Sequence, residues 1–116
     1  MSREFERMQN LADHYVDILS DWRKIEKRPL FGAVALSRNG HVFAMIWRGS
    51  LYFKVDDKSQ ADYEAAKSHT LDYKSKGADR SLKSFWKVPD EVAEEADKLR
   101  EWAERAHRAA LESSLD

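Results

Sequence analysis

The chain has 116 residues, 42% apolar and 11% aromatic, with 20 Lys and Arg against 21 Asp and Glu for a net charge of -1. That length fits one domain with a real core, and the balanced charge leaves no global field to recruit nucleic acid or an anionic membrane. With Cys 0, disulfides, thiolate metal sites and thiol catalysis are excluded. The opening MSREFERMQN has no signal-peptide core, and no apolar run reaches membrane-spanning length, so a soluble cytoplasmic protein is expected.

Phe5, Met8, Leu11, Ala12, Tyr15, Ile18, Leu19 and Trp22 recur at spacings of three and four. This predicts an amphipathic helix of about five turns that ends before Pro29. RKIEKRP then reads as a basic connector.

LFGAVALSRNGHVFAMIWRGSLYFKV follows, with Asn39-Gly40 between two apolar runs. Both residues tolerate positive φ, which makes this a strong hairpin signal. Gly49-Ser50 fits a second two-residue turn with glycine first. Counting from these turns puts Ala35 opposite Ala44 and Ala33 opposite Ile46, with Ile46 opposite Phe53 and Ala44 opposite Val55. Directly opposed residues share a sheet face. The expected core face is therefore Phe31, Ala33, Ala35, Val42, Ala44, Ile46, Leu51, Phe53 and Val55. The other face collects Val34, Leu36, Phe43, Met45, Trp47, Tyr52 and Lys54, and is apolar where a solvent face should be polar.

Asp56-Asp57 leads into a short helix, KSQADYEAA. SHTLDYKSK and DRSLKSFWKV read as two more strands joined around Gly77. Pro89-Asp90 opens a last helical region, where Asp97 is expected to cap a longer helix with Leu99, Trp102, Ala103, Ala106 and Ala110 as its apolar stripe. Tight hairpins cannot join parallel strands. The expected fold is a single α+β domain over residues 1–116. Its antiparallel meander sheet has about five strands, with N-terminal, short middle and C-terminal helices.

No pattern predicts catalysis. Asp56-Asp57 lacks the further oxygens of a hard-cation site, and aspartate before a helix is a favoured N-cap that also meets the helix dipole. His14, His41, His69 and His107 show no ligand spacing, and no nucleophile elbow, zinc helix or phosphate loop occurs. No catalytic, metal or cofactor residue is assigned. An enzyme would need scattered residues such as Tyr15, His41 and Asp56 to converge.

YKSKGADRSLKSFWK interleaves Tyr73, Phe85 and Trp86 with Lys74, Lys76, Arg80, Lys83 and Lys87, a stacking and phosphate-tracking composition. Lysines that guard a sheet edge give the same pattern, and Asp72 and Asp79 dilute the charge. Direct nucleic-acid binding through Lys74–Lys87 is the weaker reading. The apolar second face gives the stronger candidate, an interaction surface of Val34, Leu36, Phe43, Met45, Trp47 and Tyr52. Either a terminal helix covers it, or a homodimer or protein partner does.

LFGAVALSRNGHVFAMI, LYFKVDD, YKSKG, SLKSFWKVPDEV and LREWAERAHRAA, in that order and spacing, resemble the TfoX/Sxy N-terminal domain over roughly residues 28–110. The resemblance implies a bacterial cytoplasmic α+β domain without catalytic residues. It also implies regulation of natural-competence genes by working with a transcription factor. The family's MFGG-x-G is here Leu30-Phe31-Gly32-Ala33-Val34-Ala35, with two glycines replaced by alanine. With the chain ending at Asp116, a stand-alone N-terminal domain without the C-terminal domain of full-length competence regulators is expected, so functions of that domain are not expected to transfer. The combined expectation is a non-enzymatic regulatory or protein-interaction module.

Overall fold

Three turns with glycine second shape the middle of the chain. The computed structural model describes residues 3–19, 25–30, 32–75 and 78–114, and their side chains except those of residues 4, 73–75, 78–81 and 114. Gly32, Gly40 and Gly49 have φ of 81, 82 and 81°, and Asn39 and Arg48 have φ of 55 and 47°. At Asn39-Gly40 and Arg48-Gly49, positive φ at both central residues is the type I′ geometry, whose twist matches that of the strands it joins. The three turns link β1 (Glu26–Leu30), β2 (Ala33–Arg38), β3 (His41–Trp47) and β4 (Ser50–Lys54).

The second hairpin turns one residue earlier than expected. Trp47 pairs with Ser50, so Arg48-Gly49 is the turn, not Gly49-Ser50. Ile46 then faces Leu51 and Ala44 faces Phe53. This moves each pairing by two residues and leaves the faces of β3 and β4 unchanged. The basic connector also proves to be structured. Glu26–Leu30 is an edge strand paired to β2, which makes six strands where about five were expected.

After α2 (Asp57–Ala65), the hairpin β5 (Thr70–Ser75) and β6 (Ala78–Lys87) completes the sheet. The order is β1-β2-β3-β4-β6-β5, antiparallel throughout. α1 (Arg3–Ile18), the short α3 (Asp90–Ala93) and α4 (Ala96–Ser114) are the remaining helices. The expected α1 extension to Trp22, the core position Phe31 and the turn at Gly77 lie outside the described residues.

Both terminal helices pack on one face of the sheet. Met8 and Ala12 from α1, with Leu99, Ala103, Ala106 and Ala110 from α4, join Val34, Leu36, Phe43, Ala44, Ile46, Leu51 and Phe53 in the main core. Alanines on α4 let its backbone approach β3 and β4 closely. Arg100 Nε donates to the Ile18 carbonyl at 3.2 Å and so serves an orphan acceptor at the α1 end. The start of α4 corrects one expectation. Glu95, rather than Asp97, accepts the Lys98 N–H at 2.9 Å, while Asp97 pairs with Arg100 at 3.4 Å.

The expected pairing of β2 with β3 holds only next to its turn. Arg38 faces His41 and Ser37 faces Val42, but beyond Leu36 the register shifts and Leu36 faces Ala44. The extra residue is Phe43. A β-bulge lets two successive residues of one strand point the same way, and Phe43 and Ala44 both enter the main core. Val34 and Leu36 therefore turn toward the helices, whereas Ala33 and Ala35, expected in the core face, lie on the other side.

That other side has a core of its own. Ala33, Ala35, Met45, Tyr52, Leu71 and Phe85 are all buried there, and among the described residues its members come only from strands. The strands pack these side chains against one another, and the end of α4 reaches the cleft beside Met45 and Phe85.

Asp56 caps α2 with a complete capping box. Its Oδ1 accepts the Ser59 N–H at 2.8 Å, and its own N–H donates to Ser59 Oγ at 3.0 Å. The Ser59 N–H is the main cause that holds the Asp56 carboxyl below its ordinary value of 3.8, against the opposing effect of burial. Asp56→Ala is expected to cost about 1 kcal/mol. A depressed folded-state pKa makes the charged cap's contribution complete above the unfolded pKa; it fades as pH falls through the folded pKa. The difference in urea midpoint between wild type and variant should therefore shrink from pH 7 to about pH 3. A difference that stays constant over that range would contradict the cap.

Candidate functional site

The six residues of the expected interaction surface do not share one face. Val34, Leu36 and Phe43 are each 0% exposed and belong to the main core beneath the helices. Met45 and Tyr52 lie on the opposite face, buried in the second cluster. Trp47 alone is half-buried, and it packs against both clusters. The bulge at Phe43 causes the split, because a single added residue reverses the alternation that grouped them.

Trp47 ends β3, and its neighbours are local. The Arg48 guanidinium lies 5.2 Å from its ring centre, within cation–π range. A Cβ built on Gly32 would meet Trp47 Cζ3 at 3.5 Å, so the β1–β2 turn lies directly against the indole. Two turns thus flank one half-exposed tryptophan and an exposed arginine at one end of the sheet. Arg48 went unnoticed in the sequence because Gly49-Ser50 was the expected turn. The signal was the repeated X-Gly spacing of Gly32, Gly40 and Gly49.

Tyr15, His41 and Asp56 do not converge. Tyr15 faces α3, where burial raises its pKa and the charges of Asp90 and Glu94 add to the effect. His41 lines a cleft with Val42, Met45 and Lys54. Asp56 borders another cleft, of about 360 Å³, with Arg105, Arg108 and Glu112. Among the described residues no group of three His, Asp or Glu side chains could hold a metal.

The histidines are also dispersed. His69 stacks edge-on to Tyr52 at 6.1 Å, and His14 lies beside Tyr15. His107 is buried on α4 and meets Phe43 edge-on at 6.4 Å. Burial lowers its pKa, nearby Arg38 lowers it further, and a hydrogen bond to the Arg38 backbone opposes both. The environment favours the neutral ring, as suits a core histidine.

Tyr63 is buried on α2, where desolvation raises its pKa. Its ring meets Trp102 edge-on at 4.8 Å, and Arg105 bridges from that tryptophan to Asp62. This group ties α2 to α4 and exposes no reactive atom.

In the lysine-rich hairpin, the side chains of Tyr73, Lys74, Lys76 and Arg80 lie outside those described. Phe85 and Trp86 diverge. Phe85 is buried in the second cluster beneath Lys54, and Trp86 packs toward the main core with its Nε1 donating to the Lys83 carbonyl at 3.2 Å. The two rings therefore offer no common stacking surface.

No helix is long and apolar enough to cross a membrane, among the described residues. No curated protein matches the chain. The family model of the TfoX N-terminal domain matches residues 17–110, from the end of α1 through the sheet to the last buried turn of α4. The antiparallel sheet, its covering helices and that match agree, and the chain belongs to the TfoX N-terminal domain family.

Proposed function

We propose that this domain is a non-enzymatic regulatory module of the cytoplasm that works by docking a protein partner at the Trp47-Arg48 end of its sheet. Any effect on transcription runs through that partner rather than through DNA. The observation that carries this reading is the half-exposed indole with Arg48 stacked on it. Tryptophan and arginine are the side chains that most often anchor protein interfaces, and here two tight turns hold them in place. The family is not a known enzyme family, which accords with the dispersal of Tyr15, His41 and Asp56.

Affinity capture with wild type, Arg48→Glu and Trp47→Lys tests this. Arg48 is exposed, so its variant is expected to keep the wild-type circular dichroism and melting temperature. A partner that is retained by wild type and lost by both variants is the expected result. A partner held equally by all three would place docking elsewhere.

A further inference from the structure

One cleft differs from three others in its charge. It encloses about 310 Å³, walled chiefly by Leu30, Val42, Met45, Leu82 and Phe85, with Lys54 and His41 as its titratable lining residues and no carboxylate. The clefts at the start of α2, beside Ala66–His69 and under Trp102 each have at least two carboxylates in their walls. Lys54 Nζ donates to Ser84 Oγ at 3.2 Å and lies 5.2 Å from the Phe85 ring centre. An ammonium has three donors, and among the described residues no carboxylate pairs with this one. Burial lowers its pKa, the direction expected of a cation that lacks an anion nearby. A mostly apolar cavity of a few hundred Å³ with one placed charge is the usual form of a small-ligand site.

We propose that this cleft binds a small carboxylic acid with an apolar body, its chain between Val42, Met45, Leu82 and Phe85 and its carboxylate on Lys54. The volume suits one small molecule, and Lys54 supplies the complementary charge. Trp47 and Arg48 are not among the lining residues, so the site stands or falls independently of protein docking at that end. In a regulatory domain such a ligand is an effector.

Octanoate and 1-octanol, titrated separately into the ¹⁵N-labelled full chain at pH 7, are the probes. Octanoate is expected to shift the Val42, Met45, Leu82 and Phe85 amides saturably, and to bind about tenfold more tightly than octanol, the ordinary worth of a hydrogen bond to a charged group. Lys54→Met should remove that preference and leave octanol binding unchanged. Equal affinities in wild type would overturn the role of Lys54 even if the variant failed to fold. Shifts confined to other residues would overturn the site. Shifts of the cleft amides with protein concentration alone would show a second copy there instead.

Discussion

Phe43→Ala is expected to cost about 3–5 kcal/mol, the usual loss when a buried phenylalanine is truncated and its cavity only partly closes. Phe43 is 0% exposed, lies 6.3 Å from the Phe53 ring and meets His107 edge-on. A domain of this size has a total stability of roughly 5–15 kcal/mol, so the variant should sit near the edge of folding. Val42→Ala is the internal control. Strict alternation from the Asn39-Gly40 turn puts Val42 in the core and Phe43 outside. The bulge reverses this and leaves Val42 half-buried, so its truncation should cost much less. Urea unfolding of both variants at pH 7 measures the difference. A mild loss at Phe43 with a severe one at Val42 would restore the regular register.

Much of this fold is legible in the sequence, and the failures are informative. Asn39-Gly40 sets its hairpin correctly because both residues favour positive φ. Asp56 caps α2 because aspartate there can accept a first-turn N–H. Gly49 misled by one residue, because arginine also tolerates the left-handed position when strand twist demands it. β1 escaped because Glu26–Pro29 is exposed on an edge strand and carries no apolar alternation. The bulge is hardest to foresee. Its cause is tertiary, a large ring at position 43 placed beneath α4, and no local propensity marks it.

The candidate sites divide along the same line. A strand pattern reports which residues alternate, but the bulge decides which face they reach, so the six-residue surface came apart. Trp47 kept its interest because it ends the strand, where both faces are near. Lys54 was already visible as a lone cation on the apolar face shared with Tyr52. Its significance needed the cleft, which forms only when β3, β4 and β6 come together with the β2–β3 turn and the end of α4.

Leu71→Asp tests the second core most severely. Leu71 is 2% exposed and belongs to the cluster of Ala33, Ala35, Met45, Tyr52 and Phe85, whose members among the described residues all come from strands. A carboxylate there loses apolar contacts and must leave water, the kind of change whose cost exceeds about 4 kcal/mol. Leu82, its cross-strand partner, is half-buried at the rim, and Leu82→Asp should cost no more than about 1–2 kcal/mol because its carboxylate can reach solvent. Near-ultraviolet circular dichroism and sedimentation velocity, run together, distinguish the two explanations of this face. If the strands bury it within one chain, Leu71→Asp loses its fixed aromatic signals whatever the protein concentration. A surface normally buried between two copies would instead give a folded Leu71→Asp monomer from a dimeric wild type. The cluster is already closed by residues from β2 to β6 of a single chain, so loss of folding is the expected result.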